Sequence, residues 1–219
     1  MYFAYGERET AYLKSRDPKL GEAMDRIGRV SREVFPDPFS CLVRLIVGQQ
    51  ISSAALRTVW GRLTARLGRV DPGTVGSAAL EEVRSCGMTN KKASRIKDLA
   101  DKVGSGAFDL DALAGLTDGE VIGSLTTLGG VGRWTAEMVL IFCLRRPDVV
   151  SFGDLAILRG MRQVYGLGSI DRGLFDERAR AYSPHGTVAS LYLWAAAGER
   201  PPAVRGVRRS GRPAVTTPK

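Results

Sequence analysis

The chain has 219 residues, 44% of them apolar, with three cysteines and a net charge of +9. That length can bury a full core as one or two compact units. It holds no run of about 18 apolar residues that would span a membrane, and its soon-charged opening segment is not expected to act as a secretory leader. Its cysteines (Cys41, Cys86 and Cys143) are too few and too scattered for a disulfide framework or a CxxC metal site, so a cytoplasmic setting is expected.

Read in chain order, the sequence predicts helices almost throughout. Asp37-Pro38 pairs an N-cap with proline at the first helical position, and the helix runs to about Val47. A second helix is predicted from about Ser52 to Leu67, stopped by Gly68. Ser77 is read as the cap of a helix ending at Cys86 before Gly87. Thr89 or Asn90 caps the next, which reaches Val103. Thr117-Asp118-Gly119-Glu120 is a capping box, and Val121, Ile122, Leu125 and Leu128 follow at the spacing of one apolar helical face.

The most informative stretch comes next. Leu128-Gly129-Gly130-Val131-Gly132-Arg133-Trp134-Thr135-Ala136 turns sharply and opens another helix. The first N–H groups of that helix lack helical partners and form a ready anion site, suited to a DNA phosphate. Three glycines fit a plain helix–helix turn equally well. Asp154 stands where a further helix through Val164 begins, and Ser183-Pro184 is read as the start of the last one, ending near Gly198. Few segments alternate cleanly with period two, so no sheet is expected and the class is all-α.

The charge is uneven. Arg200, Arg205, Arg208, Arg209, Arg212 and Lys219 lie in a tail without acids, and the rest keeps 26 basic against 23 acidic residues, a net +3. The tail, residues 200–219, reads as a disordered basic extension, either merely solvated or a sequence-blind DNA tether.

Several motifs in order resemble the helix-hairpin-helix DNA glycosylases, in particular the alkylated-base branch of 3-methyladenine DNA glycosylase II. They are Ile46-Val47-Gly48-Gln49-Gln50-Ile51-Ser52, Cys86-Gly87-Met88 with Lys91-Lys92-Ala93, the hairpin through Ala136, Asp154-Leu155, and Leu191-Tyr192-Leu193-Trp194. The resemblance covers roughly residues 10–198. It implies a six-helix barrel lobe at 38–145 and a second helical lobe built from 1–37 and 146–199, with no additional N-terminal α/β domain.

The implied activity is excision of alkylated bases of the 3-methyladenine and 7-methylguanine type from double-stranded DNA. The damaged nucleotide is flipped out because its N-glycosidic bond is not accessible inside the stack. The implied catalytic residue is Asp154. Trp134, Trp194 and Met138 match the base pocket, where an electron-rich ring suits a cationic base. Met138 replaces an aromatic of the best-known relatives, and either tryptophan could also be core. Gln49, Gln50 and Ile51 match the wedge that enters the gap left by the flipped base. Gly129, Gly130, Val131, Gly132, Arg133 and Thr135 match the phosphate-binding hairpin. Carbonyls of Thr126, Leu128 and Val131 match the ligands of a structural Na+ or K+. Lys91 and Lys92 are either phosphate contacts or solvated charges, and His185 is an ordinary residue near a helix start. No catalytic cofactor and no iron–sulfur cluster are implied. The enzyme is expected to act as a monomer, associated with the nucleoid. Strand-cleaving relatives carry a Schiff-base lysine where this chain has Trp134, which makes a monofunctional enzyme the expectation. The alternatives are an endonuclease III-like glycosylase/lyase and a non-catalytic DNA-binding protein of the same hairpin type.

Overall fold

The computed structural model describes residues 1–198, so the basic tail lies outside the described residues. Twelve α-helices and one 3-10 turn make up the described chain, and its only β feature is an isolated bridge between Tyr2 and Glu33. None of these helices is long and apolar enough to cross a membrane.

The helices form two packing groups. The first comprises α1 (Glu7–Arg16), α2 (Pro18–Ile27), α10 (Leu155–Tyr165), α11 (Arg172–Tyr182) and α12 (Gly186–Ala196), whose main contacts are with one another. The second comprises α3 (Pro38–Gly48), α4 (Ser53–Leu67), α5 (Pro72–Ser77), α6 (Leu80–Ser85), α7 (Asn90–Gly104), α8 (Asp118–Leu125) and α9 (Arg133–Phe142), which likewise pack mainly among themselves.

Local chemistry sets most boundaries. Asp37 accepts the Ser40 N–H at 2.7 Å to start α3, and Ser52 accepts that of Ala55 at 3.2 Å to start α4. Thr117 and Glu120 close the capping box of α8. Two boundaries differ from the sequence reading. Ser77 ends α5 instead of capping a helix, because Asp71-Pro72 supplies the cap and first residue one helix earlier, and α6 begins separately at Leu80. The last helix begins at Gly186, not at Ser183-Pro184. The Asp148 carboxylate, far away in sequence, accepts the Gly186 N–H at 3.0 Å and also takes the Ser183 hydroxyl.

Two helices are apolar around most of their circumference and run through the interior. Residues Thr135–Ile141 of α9 and Gly186–Trp194 of α12 are all buried. Close approach of α10 to α12 depends on Gly160, where a Cβ would lie 2.0 Å from the Leu193 carbonyl oxygen. The segment between α9 and α10 stitches the two groups together. Arg146 donates to the Leu116 carbonyl at 2.6 Å, and Thr187 donates to the Arg146 carbonyl at 2.6 Å.

Candidate active site

The site forms where the start of α9 meets the start of α10, on the seam between the packing groups. Asp154 is the N-cap of α10. Its Oδ1 accepts the N–H groups of Ala156 at 2.9 Å and Ile157 at 3.0 Å. Its Oδ2 accepts the indole N–H of Trp134 at 2.9 Å, a bond from α9 that crosses the seam. Asp154 is 7% exposed, so the three donors hold a nearly enclosed carboxylate in one orientation. A carboxylate offers about four lone-pair directions. With three filled, one direction on Oδ2 has no partner among the described residues.

A second acid, which the motif reading did not single out, lies beside it. Glu137, one turn along α9, is buried; its Oε1 accepts from Arg133 Nε at 2.9 Å and its Oε2 takes the Ser151 hydroxyl. Ser151 in turn accepts the Asp154 N–H through its carbonyl at 3.3 Å. Glu137 therefore braces the loop that carries Asp154. The Arg133–Glu137 spacing of four is visible in the sequence, but the burial of the acid is a long-range property. Leu155 follows Asp154 in the motif and has a feature of its own. It is 78% exposed at the first position of α10, an apolar surface beside Asp154 where leucine would ordinarily read as core.

The hairpin sorts its residues by exposure. Gly129, Gly132 and Arg133 are exposed, whereas Val131 and Thr135 are buried. The Val131 N–H is committed to the Leu128 carbonyl at 3.1 Å, and the Thr135 hydroxyl accepts from Gln49 Nε2 at 3.3 Å. Anion donors are thus left to the exposed glycines and the first turn of α9. Gly130 has φ +85, a backbone conformation that favours glycine, and the outer part of the Arg95 side chain packs over it where a Cβ would lie.

Met138 is fully buried one turn beyond Trp134, beneath the site. Trp194 is not brought to the carboxylate by any described contact: it is 3% exposed and stacks on Phe142 with centroids 5.6 Å apart, with the Arg32 guanidinium over its ring. Phe142 ends α9, about 12 Å along the axis from Trp134 at 1.5 Å per residue.

The triple Gln49-Gln50-Ile51 divides. Gln50 is exposed, with φ 58, and Ile51 is 38% exposed, so both project from the α3–α4 corner. Gln49 turns inward instead; its Nε2 donates to the Gly130 carbonyl at 2.9 Å. Lys91 and Lys92 also separate: Lys91 is exposed, while Lys92 reaches back to the end of α3, donating to the Val47 carbonyl at 2.9 Å. His185 is the N-cap residue of α12 and sits edge-on to Tyr12.

Comparison with known proteins agrees with this architecture. The HhH-GPD superfamily base excision DNA repair protein family matches residues 43–183. DNA-3-methyladenine glycosylase 1 of Schizosaccharomyces pombe is 31% identical over 163 residues, covering 72% of each chain. A crystal structure of DNA-3-methyladenine glycosidase from Bacillus halodurans superposes with a TM-score of 0.77 at 35% identity, covering 91% of this chain and 93% of that one. The Schizosaccharomyces pombe 3-methyladenine DNA glycosylase (Mag1) in complex with abasic DNA gives the same TM-score at 28% identity, covering 85% and 95%.

Proposed function

Because the chain belongs to the HhH-GPD superfamily of base excision DNA repair proteins, we infer that it is a monofunctional DNA glycosylase. It excises alkylated bases of the 3-methyladenine and 7-methylguanine type from double-stranded DNA by hydrolysis. The observation that carries the chemistry is the hydrogen bond from Trp134 to Asp154, which joins an aromatic face to an oriented carboxylate.

Breaking the N-glycosidic bond builds positive charge on the sugar at C1′. A fixed carboxylate stabilises that charge more in the transition state than in the ground state. The free direction on Asp154 Oδ2 faces the sugar or orients the attacking water. A cationic alkylated base is already a good leaving group, so no separate general acid is required. The Trp134 ring supplies the π-face for that cation. The exposed hairpin residues Gly129, Gly132 and Arg133, with the first N–H groups of α9, grip a phosphate and set the register. Gln50 and Ile51 fill the vacated stack. Leu155 adds an apolar surface next to the reacting sugar.

The resemblance also implies a structural Na+ or K+ on the carbonyls of Thr126, Leu128 and Val131. Oxygen donors suit such a hard cation. The Leu128 carbonyl keeps a lone pair beyond the one that accepts the Val131 N–H, so the residues fit the ion. Bound there, it would supply positive charge at the hairpin for DNA phosphate.

The test is release of free bases from DNA carrying a panel of alkylated purines, with undamaged DNA as control. Release of 3-methyladenine or 7-methylguanine, leaving intact strands with abasic sites, is the expected result. DNA binding with no release of any base would favour the non-catalytic reading instead.

A further inference from the structure

The corner between α3 and α4 projects, yet its backbone is unfavourable. Gln50 sits in the left-handed region at φ 58 without being glycine, and the last carbonyls of α3 need partners once the helix stops. Two long-range contacts meet these demands. Lys92 Nζ, from the first turn of α7, donates to the carbonyls of Val47 at 2.9 Å and Gln49 at 2.5 Å. An ammonium at the C-terminal end of a helix also complements its dipole. The backbone of Lys92 is itself fixed, because its N–H donates to the capping hydroxyl of Thr89 at 3.3 Å. The second contact is the Gln49 side chain on the Gly130 carbonyl, which ties the same corner to the hairpin. Gln49 is therefore gripped at its carbonyl by Lys92 and at its amide by the hairpin, and Gln50 and Ile51 extend beyond it.

We propose that Lys92 is a positioning residue for base flipping: its ammonium fixes the end of α3 so that Gln50 and Ile51 are held out toward the DNA, and it does this without touching DNA itself. The proposal rests on the reading of the chain as a base-flipping glycosylase. Lys97 provides an internal control. It makes the same kind of clamp, donating to the carbonyls of Val75 at 3.1 Å, Gly76 and Ala78 at 2.7 Å, but on α5, remote in sequence from the wedge.

The experiment compares wild type, Lys92→Met, Lys92→Gln and Lys97→Met on 7-methylguanine placed either in a fully paired duplex or in a mismatched bubble. In the bubble the unstacking cost is largely removed. Lys92→Met should lose about tenfold or more in single-turnover release from the duplex, as expected for a misplaced group, and less than about twofold from the bubble. Lys97→Met should lower thermal stability without changing the ratio between the substrates. Lys92→Gln, which keeps a donor, should fall between, and it serves if the methionine variant does not fold. The salt dependence of duplex binding should be unchanged in the Lys92 variants, whereas a lost phosphate contact would remove about 0.9 from the log–log slope. Equal losses on duplex and bubble, or a flattened slope, would overturn the positioning role. A wild-type protein that releases no base from either substrate would instead overturn the glycosylase reading, and the positioning role with it.

Discussion

The two ends of α9 each carry aromatic chemistry, and they differ in what surrounds it. At the N-terminal end Trp134 is half-buried, its indole N–H donates to Asp154, and exposed glycines and Leu155 lie close by in the chain or across the seam. At the C-terminal end Trp194 packs on Phe142 inside the core, with Arg32 over the ring. Both tryptophans match pocket positions by resemblance, yet only one ring meets a carboxylate. An aromatic becomes a candidate for binding a cation when it keeps an accessible face and a polar partner. Trp194 differs in that it is 3% exposed and one face of its ring is already taken by the Arg32 guanidinium.

The largest test of this contrast is Asp154→Asn. The amide keeps one oxygen for the Ala156 and Ile157 N–H groups, so α10 remains capped. Its NH2 then faces the Trp134 N–H, donor against donor, and the negative charge is gone. Excision should fall by about 100- to 1000-fold, the scale of removing one preorganised electrostatic group, with duplex binding retained. Adding Trp134→Phe to this variant should relieve the donor conflict without restoring activity. Near wild-type excision by Asp154→Asn would reduce the residue to a helix cap.

The paired substitutions Trp134→Phe and Trp194→Phe probe the two ends directly. Trp134→Phe removes a hydrogen bond to a nearly buried carboxylate, a loss of about 1.5 kcal/mol or more of stability that should lower the melting temperature by a few degrees. Because Asp154 loses its orienting donor, excision per folded molecule should also drop about tenfold. Trp194→Phe shrinks a buried ring and should cost about 1–3 kcal/mol, lowering the melting temperature by a few degrees. Excision per folded molecule should stay the same. Should the two variants exchange phenotypes in a combined melting and single-turnover assay, the assignment of the two ends would be reversed.

How much of this was legible follows from the range of each interaction. Caps made by neighbours were readable: Asp37, Ser52, Thr117 and Asp154 all accept N–H groups within three residues. Ser77 misled because a serine is a cap only if the preceding turn is not already helical, and Asp71-Pro72 had started one. The start of α12 was hidden because its acceptor, Asp148, is 38 residues away. The site shows the same division. The hairpin and Asp154 announce themselves through glycine spacing and a capping acid. The inward turn of Gln49, the clamp by Lys92 and the buried Glu137 depend on which helices meet, and no local pattern encodes that. Met138 and Trp194 are buried because α9 and α12 are interior helices, the core alternative that the sequence already offers for Trp194.

The smallest expected effect is an absence, and it bears on what the N-terminal end of α9 does. A lyase needs an amine close enough to C1′ to form a Schiff base, which borohydride then reduces to a stable protein–DNA adduct. α9 contains no lysine, and the amine of Lys92 is engaged by two backbone carbonyls at the end of α3. Wild-type protein incubated with abasic or alkylated DNA and borohydride should therefore trap no more adduct than a protein-free background, measured by gel shift under denaturing conditions. Trp134→Lys supplies the positive arm. If this end of α9 faces C1′, an amine placed there should give detectable trapping, although its rate will be low in a site not built to deprotonate it. A Trp194→Lys variant, placed in the core at the far end, should give none. Strong trapping by the wild type would make the enzyme bifunctional. Trapping by the Trp194 variant but not the Trp134 variant would move the chemistry to the other end of the helix.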